Sequence, residues 1–390
     1  MQKRTAFVIF RLYLGFRLLQ SEVVSATTAP LIAPPFAAAV RAAGYRPLGG
    51  LRFGLAILVV VQHFQHLLVP QDQAVFGSLG LGLVAVAVFF AISGFVVTEA
   101  ITVFYADRPL AFMQNRLLRL VPPYAAALVL SVALHVLLWH LGRLALWDYG
   151  ASGAPLTWPR LVAGFAGLLP GLQALRPGDS FEFIPYAWSL RVEMAFYVVT
   201  ALVVMAAGWS ARRAILNFRT AIGVSLLAAL GVSVWFQHLH RPGLLSCAPM
   251  FLAGIALCLV LTRRGVLRCL FLAMVLPAAW LGFASWRQHG HPMLPMQFLA
   301  VGLLFAIFAL LAGQPAGRWQ RLDRRLGDLS YPLYLNHYVV GIAVTDLCPV
   351  RNVAVYLASI GASVLLAAMM GGVVDGRLTG LRRRVRLAGV

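Results

Sequence analysis

Apolar residues along this chain gather into long runs separated by short connections that carry arginine. The first such run extends from Leu48 to Leu68, LGGLRFGLAILVVVQHFQHLL, and others lie near 75–98, 118–141, 159–175, 186–208, 218–236, 243–262, 267–285, 294–313, 329–348 and 353–374. Most are close to the ~20 residues that a helix needs to cross a hydrocarbon core of about 30 Å. The pattern predicts an all-α, polytopic membrane bundle built from eleven hydrophobic segments.

The arginines test which segments cross, because the connections that hold them should share one side. Arg108 and Arg116, Arg212 to Arg219, Arg263 to Arg268, Arg318 to Arg325 and Arg377 to Arg386 do so only if one segment between 118 and 208 stays on its own side. The weakest is 159–175, broken by Gly164, Gly167 and Pro170 and followed by the polar RPGDSFEF. We therefore read ten spans with both termini cytoplasmic, and Gly142 to Pro185 as an external or re-entrant excursion. The other reading, eleven spans, places the arginines of 209–219 outside.

Composition excludes a soluble fold: 61% of the 390 residues are hydrophobic and 11% are charged. The net charge of +20 is almost wholly arginine between apolar runs, so it speaks for orientation in an integral cell membrane rather than for nucleic acid. Four cysteines without close pairing or zinc-type spacing lead us to expect neither metal nor disulfide. Three parts follow: residues 1–40, a basic segment and a Pro/Ala linker; 41–375, the membrane domain; and 376–390, an arginine-rich cytoplasmic tail. Arg11 and Arg17 interrupt the opening apolar run, which fits a helix on the membrane surface or an unstructured leader.

Ionisable residues inside apolar runs are costly unless they face a bundle interior or a wet cavity. Arg52 and His63 stand eleven positions apart in the first run. At ~100° and ~1.5 Å per residue they return to nearly the same helix face about 16 Å apart. Glu193, in AWSLRVEMAFYVV, counts to a depth similar to that of His63. It either orients that imidazole or pairs with Arg191, two residues away. Arg116 and Arg119, three apart before VPPY, either grip donor phosphates or anchor the helix to lipid phosphates. Pro122 and Pro123 suit the first turn of the following helix. Ser330, Tyr334 and His337 fall at i, i+4 and i+7 in LSYPLYLNH, one helix face with three hydrogen-bonding side chains that should look inward to substrate. Ser93 and Gly94 of FFAISGF and the PMFLAG stretch read as helix-packing material, and His66, His135 and His140 as interfacial or solvated.

Taken in order, these motifs resemble the acyltransferase-3 family of integral membrane acyltransferases, through roughly Tyr45 to Asp375. The motifs are Arg52 and His63 with ten residues between, FFAISGF at 89–95, Arg116 and Arg119 before VPPY, AWSLRVE at 187–193 and LSYPLYLNH at 329–337. The resemblance implies ten membrane helices and transfer of an acyl group, usually acetyl, from acetyl-CoA to a hydroxyl of a carbohydrate or lipid-linked glycan at the cell surface. It implies His63 as the catalytic histidine, Arg52 as its motif partner, and Arg116 with Arg119 as the pair serving the donor. A bacterial inner membrane is the expected location. The sequence departs from the family at two points: Gly49 stands where an acidic residue is common, and Arg191 where a small or uncharged one is usual. Some members carry a soluble hydrolase-like domain after the membrane region, and here transfer is expected to be completed without one. A transporter or flippase with a buried Arg/His/Glu pathway is the alternative, and the lack of a visible inverted repeat counts against it.

Overall fold

The computed structural model describes residues 44–69, 80–105, 108–143, 157–169, 182–211, 247–261, 294–315 and 317–387. Among these residues the structure is helical, without strands. In chain order the helices are α1 Gly49–Leu68, α2 Leu81–Ala100 running on into a π-turn at Ile101–Tyr105, α3 Pro109–His140 and α4 Trp158–Phe165, which ends in a 3-10 turn. They continue as α5 Ala187–Ala211, α6 Ala248–Leu261, α7 Leu294–Ala312, α8 Gln320–Leu347 and α9 Val353–Leu387. Among the described residues, four stretches are long and apolar enough to cross a membrane: Leu81–Tyr105, Pro109–His140, Ala187–Ala206 and Val353–Val374. The segments expected at 218–236 and 267–285, and residues 1–40, lie outside the described residues.

The centre of the bundle is α2. Its sequence is apolar all round, which suits a helix covered by lipid or by other helices, and here neighbouring helices cover it. Val84, Ala85, Ala87, Val88 and Ala91 are accordingly buried to 1% exposure or less. α6 crosses α2 at backbone contact, since a Cβ on Gly94 would overlap the Phe251 carbonyl and one on Gly254 the carbonyl of Ala91. The packing role read for Gly94 and PMFLAG is what these helices use. Leu310 of α7 and Leu365 and Met369 of α9 turn more than 65% of their surface outward, an apolar exterior suited to lipid.

α1 and α8 meet equally closely. A Cβ on Gly49 would fall on the Asp323 carbonyl, and one on Gly327 would stand 2.9 Å from Gly49 Cα. The Asp323 carboxylate accepts from the backbone N–H of Gly49 (2.9 Å) and of Gly50 (2.7 Å), and from the Tyr45 hydroxyl (2.5 Å). These amides belong to the first turn of α1, which has no donor-accepting side chain of its own as cap. The acid missing at position 49 is thus supplied to the same helix end by α8.

Several expectations are corrected. Pro122 and Pro123 do not open a helix; they lie inside α3, which is unbroken over 32 residues. Each proline withholds an amide from the turn before it, and next to these freed carbonyls the Leu120 carbonyl takes a bond from the Tyr331 hydroxyl of α8 at 2.9 Å. Residues 376–387 of the arginine-rich tail continue α9 as helix, and its 35 residues extend ~52 Å. His135 is fully buried, its Nδ1 against the Ser131 carbonyl at 2.7 Å and its ring edge-on to Phe183, because α4 and the chain before α5 cover that face of α3. His140 is exposed, as read. The stretch 159–175 begins as α4, eight residues or ~12 Å, well short of a ~30 Å crossing.

Candidate active site

The face read on α8 forms a spine that links both ends of α1. At one end Arg52 Nη2 donates to Ser330 Oγ at 3.2 Å, and Ser330 Oγ donates on to the Gly327 carbonyl at 2.7 Å. One turn along, the Tyr334 hydroxyl donates to the Tyr186 carbonyl (2.9 Å) and pairs with Ser189 Oγ (2.7 Å). At the other end His337 Nε2 lies 2.9 Å from His63 Nδ1. Ser330 and His337 are each 1% exposed. Arg52, His63, Ser330, Tyr334 and His337 therefore belong to one connected face between α1 and α8.

The hydrogen-bond chain through the two histidines fixes where their protons sit. His337 Nδ1 faces the Leu333 carbonyl at 3.3 Å. A carbonyl only accepts, so this nitrogen carries hydrogen, and in a neutral ring the other nitrogen, Nε2, is then an acceptor. His63 must donate to it through Nδ1, which leaves His63 Nε2 as the unprotonated, basic nitrogen. Tyr186 holds the ring in place: its ring stacks on His63 with centroids 3.6 Å apart and planes 9° from parallel.

Glu193 has different company from that expected. Its carboxylate accepts from Ser93 Oγ at 2.9 Å and from the Tyr197 hydroxyl one turn along α5. The depth count placed it beside His63, but Tyr186, seven residues earlier, occupies that level, and two further turns of α5 carry Glu193 ~10 Å toward the Arg52 end. Arg191 is not its partner either; that guanidinium reaches Glu182 (3.3 Å) and the Gly167 carbonyl (3.2 Å). Arg191 thus ties α5 to the segment after α4.

Between α1, α2, α3, α5 and α8 lies a cavity of ≈ 80 Å³. Arg52, Arg116, Arg119 and Glu193 supply its charge, Ser93, Ser189, Ser330 and Tyr334 its hydroxyls, and Val86, Phe89, Phe90 and Leu190 part of its apolar wall. Arg116 is 5% exposed, its guanidinium between the rings of Phe112 (5.3 Å) and Tyr197 (5.4 Å). Three guanidiniums against one carboxylate give this cavity a positive balance of charge. The structure brings Arg52, Arg116, Arg119, Glu193, Ser330 and Tyr334 together here, and Ser189 and Tyr334 connect it through Tyr186 to His63 and His337.

Sequence reasoning missed Tyr186, Asp323, Tyr197 and the bond from Ser93 to Glu193. Only Tyr186 had a local signal, as the aromatic just before AWSLRVE, whereas Asp323 reaches a partner 274 positions away. Arg46 was missed as well; it pairs with Glu99 at 3.0 Å and donates to the Ala312 carbonyl at 2.6 Å, joining the lead into α1 to α2 and α7.

No curated protein and no solved structure gives a significant match to the chain. The family model described as an acyltransferase domain, however, matches residues 48–371. That span opens at the first residue before α1 and runs into α9, so every helix contributing to the cavity and to the histidine pair lies within it. Covering well over half of the chain, the match places this protein in the acyltransferase-3 family of membrane acyltransferases.

Proposed function

We propose that the protein moves an acyl group, acetyl first of all, from acyl-CoA to a hydroxyl of a cell-surface carbohydrate or lipid-linked glycan, with His63 as general base. The observation that carries this reading is the 2.9 Å contact of His63 Nδ1 with His337 Nε2, which, with His337 Nδ1 turned to the Leu333 carbonyl, supports His63 Nε2 as the basic nitrogen. The donor's phosphates bind at Arg52, Arg116 and Arg119, and its pantetheine arm follows the α1–α8 face for the ~16 Å to His63. The acceptor hydroxyl gives its proton to His63 Nε2 as its oxygen attacks the thioester carbonyl. The C–S bond then breaks, and the leaving thiolate takes the proton back from the imidazolium as CoA-SH. Glu193 serves the donor end, offsetting part of the arginine charge and positioning Ser93 and Tyr197.

In this reading the bundle has ten spans in a bacterial inner membrane with both termini cytoplasmic, so the arginine end takes donor from the cytoplasm. The arginine-bearing connections and the short α4 support that arrangement. The test is mass spectrometry of surface glycans and glycolipids from cells lacking the protein, complemented with wild type or with His63→Ala at equal membrane levels. Wild type is expected to restore a mass difference of one acyl group, and His63→Ala to reduce it by ~10²–10⁴-fold. Full acylation by the variant would remove His63 from the chemistry.

A further inference from the structure

Beyond the cavity, on the side of Arg116, stand arginines that the motifs leave unexplained, one of them at the end of α9. The last turns of α9 lie across the start of α3 and the π-turn that ends α2. Asn115 Nδ2 donates to the Arg382 carbonyl at 3.0 Å, and Arg108 Nη2 to the Val385 carbonyl at 3.1 Å. Val385 is among the last carbonyls of α9, which lack intrahelical donors, so Arg108 caps that end, and Asn115 adds a second bond one turn back. This fixes Arg386, whose guanidinium stands 3.5 Å over the Phe104 ring.

From Phe104 an aromatic series leads inward to the cavity. Tyr105 is 6.2 Å from Phe104, Phe112 is 5.9 Å from Tyr105, and the Arg116 guanidinium lies over Phe112. Arg386 and Arg116 are thus two ends of one corner. Burial pulls the Arg386 pKa below the ordinary arginine value, Tyr105 partly offsets this, and the charge of Arg116 lowers it further. Among the described residues no carboxylate pairs with Arg108, Arg116 or Arg386. Arg108 Nη1 and the Nε of the nearly buried Arg116 are donors with no hydrogen-bond partner there. Arg116 is nearly buried and Arg386 exposed, so the group opens outward, and like charges held together favour an anion that joins them.

We propose that Arg108, Arg116 and Arg386 form a phosphate-binding corner, closed by the end of α9, that takes the phosphate-bearing nucleotide of the acyl donor. Guanidinium forks match phosphate oxygens in geometry as well as charge. A lipid headgroup carries the same chemistry, so the test separates the two sources. The inference rests on the acyl-CoA reading above and adds to it a recognition element supplied by α9.

The full chain, in nanodiscs with and without anionic lipid, is assayed with acetyl-CoA, acetyl-dephospho-CoA and S-acetylpantetheine as donors. Arg386→Ala is expected to raise the KM for acetyl-CoA about tenfold, in line with loss of a charge-assisted bond. The KM for S-acetylpantetheine and kcat are expected to stay within about twofold. Arg386→Lys, which keeps the charge without the planar fork, falls between. Adenosine 3′,5′-bisphosphate is expected to raise the melting temperature of wild type and not that of Arg386→Ala, a readout independent of turnover. Equal loss with all three donors would reduce α9 to a structural clamp. A response to anionic lipid instead of to the donor's phosphates would assign the corner to a headgroup, and either result overturns the proposal. Nucleotide protection that depends on Arg386, without acyl transfer from any donor, would leave the corner standing and sink the acyl-CoA reading.

Discussion

His337 Nε2 accepts from His63 Nδ1 across 2.9 Å, with the Leu333 carbonyl behind it holding its own proton on Nδ1. The pair makes the basicity of one histidine depend on the acceptor offered by another. His337→Ala removes that acceptor and allows His63 to carry its proton on either nitrogen. Turnover is expected to fall roughly ten- to a hundredfold, less than for His63→Ala, since only orientation is lost. His337→Gln, whose side-chain oxygen can still accept, is expected to recover part of the rate in the same assay.

Glu193 lies among the arginines with Ser93 and Tyr197, away from His63. Glu193→Gln keeps an acceptor for both hydroxyls but removes the negative charge. Its effect is expected on donor KM and on the salt dependence of KM, with kcat lowered less than tenfold. Glu193→Ala strands two donor hydroxyls, each worth about 1–3 kcal/mol when left unsatisfied, and is expected to lower the melting temperature as well. A large loss of kcat at unchanged KM in Glu193→Gln would return this carboxylate to the histidine.

The contact of α1 with α8 rests on the missing side chain at Gly49 and the carboxylate of Asp323. Gly49→Ala drives a methyl group into a backbone carbonyl and is expected to cost about 1–3 kcal/mol, the range for overpacking. Asp323→Ala uncaps α1 for about 0.5–2 kcal/mol, and Asp323→Asn costs less because asparagine also caps. Thermal unfolding in detergent, followed by tryptophan fluorescence, measures all three.

Tyr45 provides the pH dependence. Burial and the bond to Asp323 raise its pKa well above the ordinary tyrosine value of about 10. The folded protein therefore holds this proton more tightly than the unfolded chain does. The resulting stability is fully present below pH ~10 and declines as pH rises beyond it. Alkaline unfolding of Tyr45→Phe is expected to be less steep in that window, while at neutral pH the variant loses only the bond to Asp323.

The element pattern was legible because membrane spans must be apolar, and that constraint acts within each helix. α1 and α5 start and end close to where hydrophobicity placed them, and the Ser330–Tyr334–His337 face followed from helical period alone. What escaped was decided between helices. Depth along α5 depends on where that helix begins relative to α1, so a count from each membrane surface put Glu193 two turns from its actual level. The prolines of α3 looked like a boundary because local rules cannot see Tyr331 beside them. The cap on α1 came from a residue with no sequence neighbour in common with it.

The interval between Arg52 and His63 behaves as a ruler. Both residues are pinned to α8, one through Ser330 and the other through His337, by helices whose backbones touch at Gly49 and Gly327. One inserted residue between them would turn everything beyond it by ~100° and carry the imidazole off its acceptor. Evolution can vary neither the length nor the twist of this stretch without losing one end. Under the acyl-CoA reading proposed above, adaptation to a longer or bulkier acyl chain falls sideways, to the apolar wall of Val86, Phe89 and Phe90.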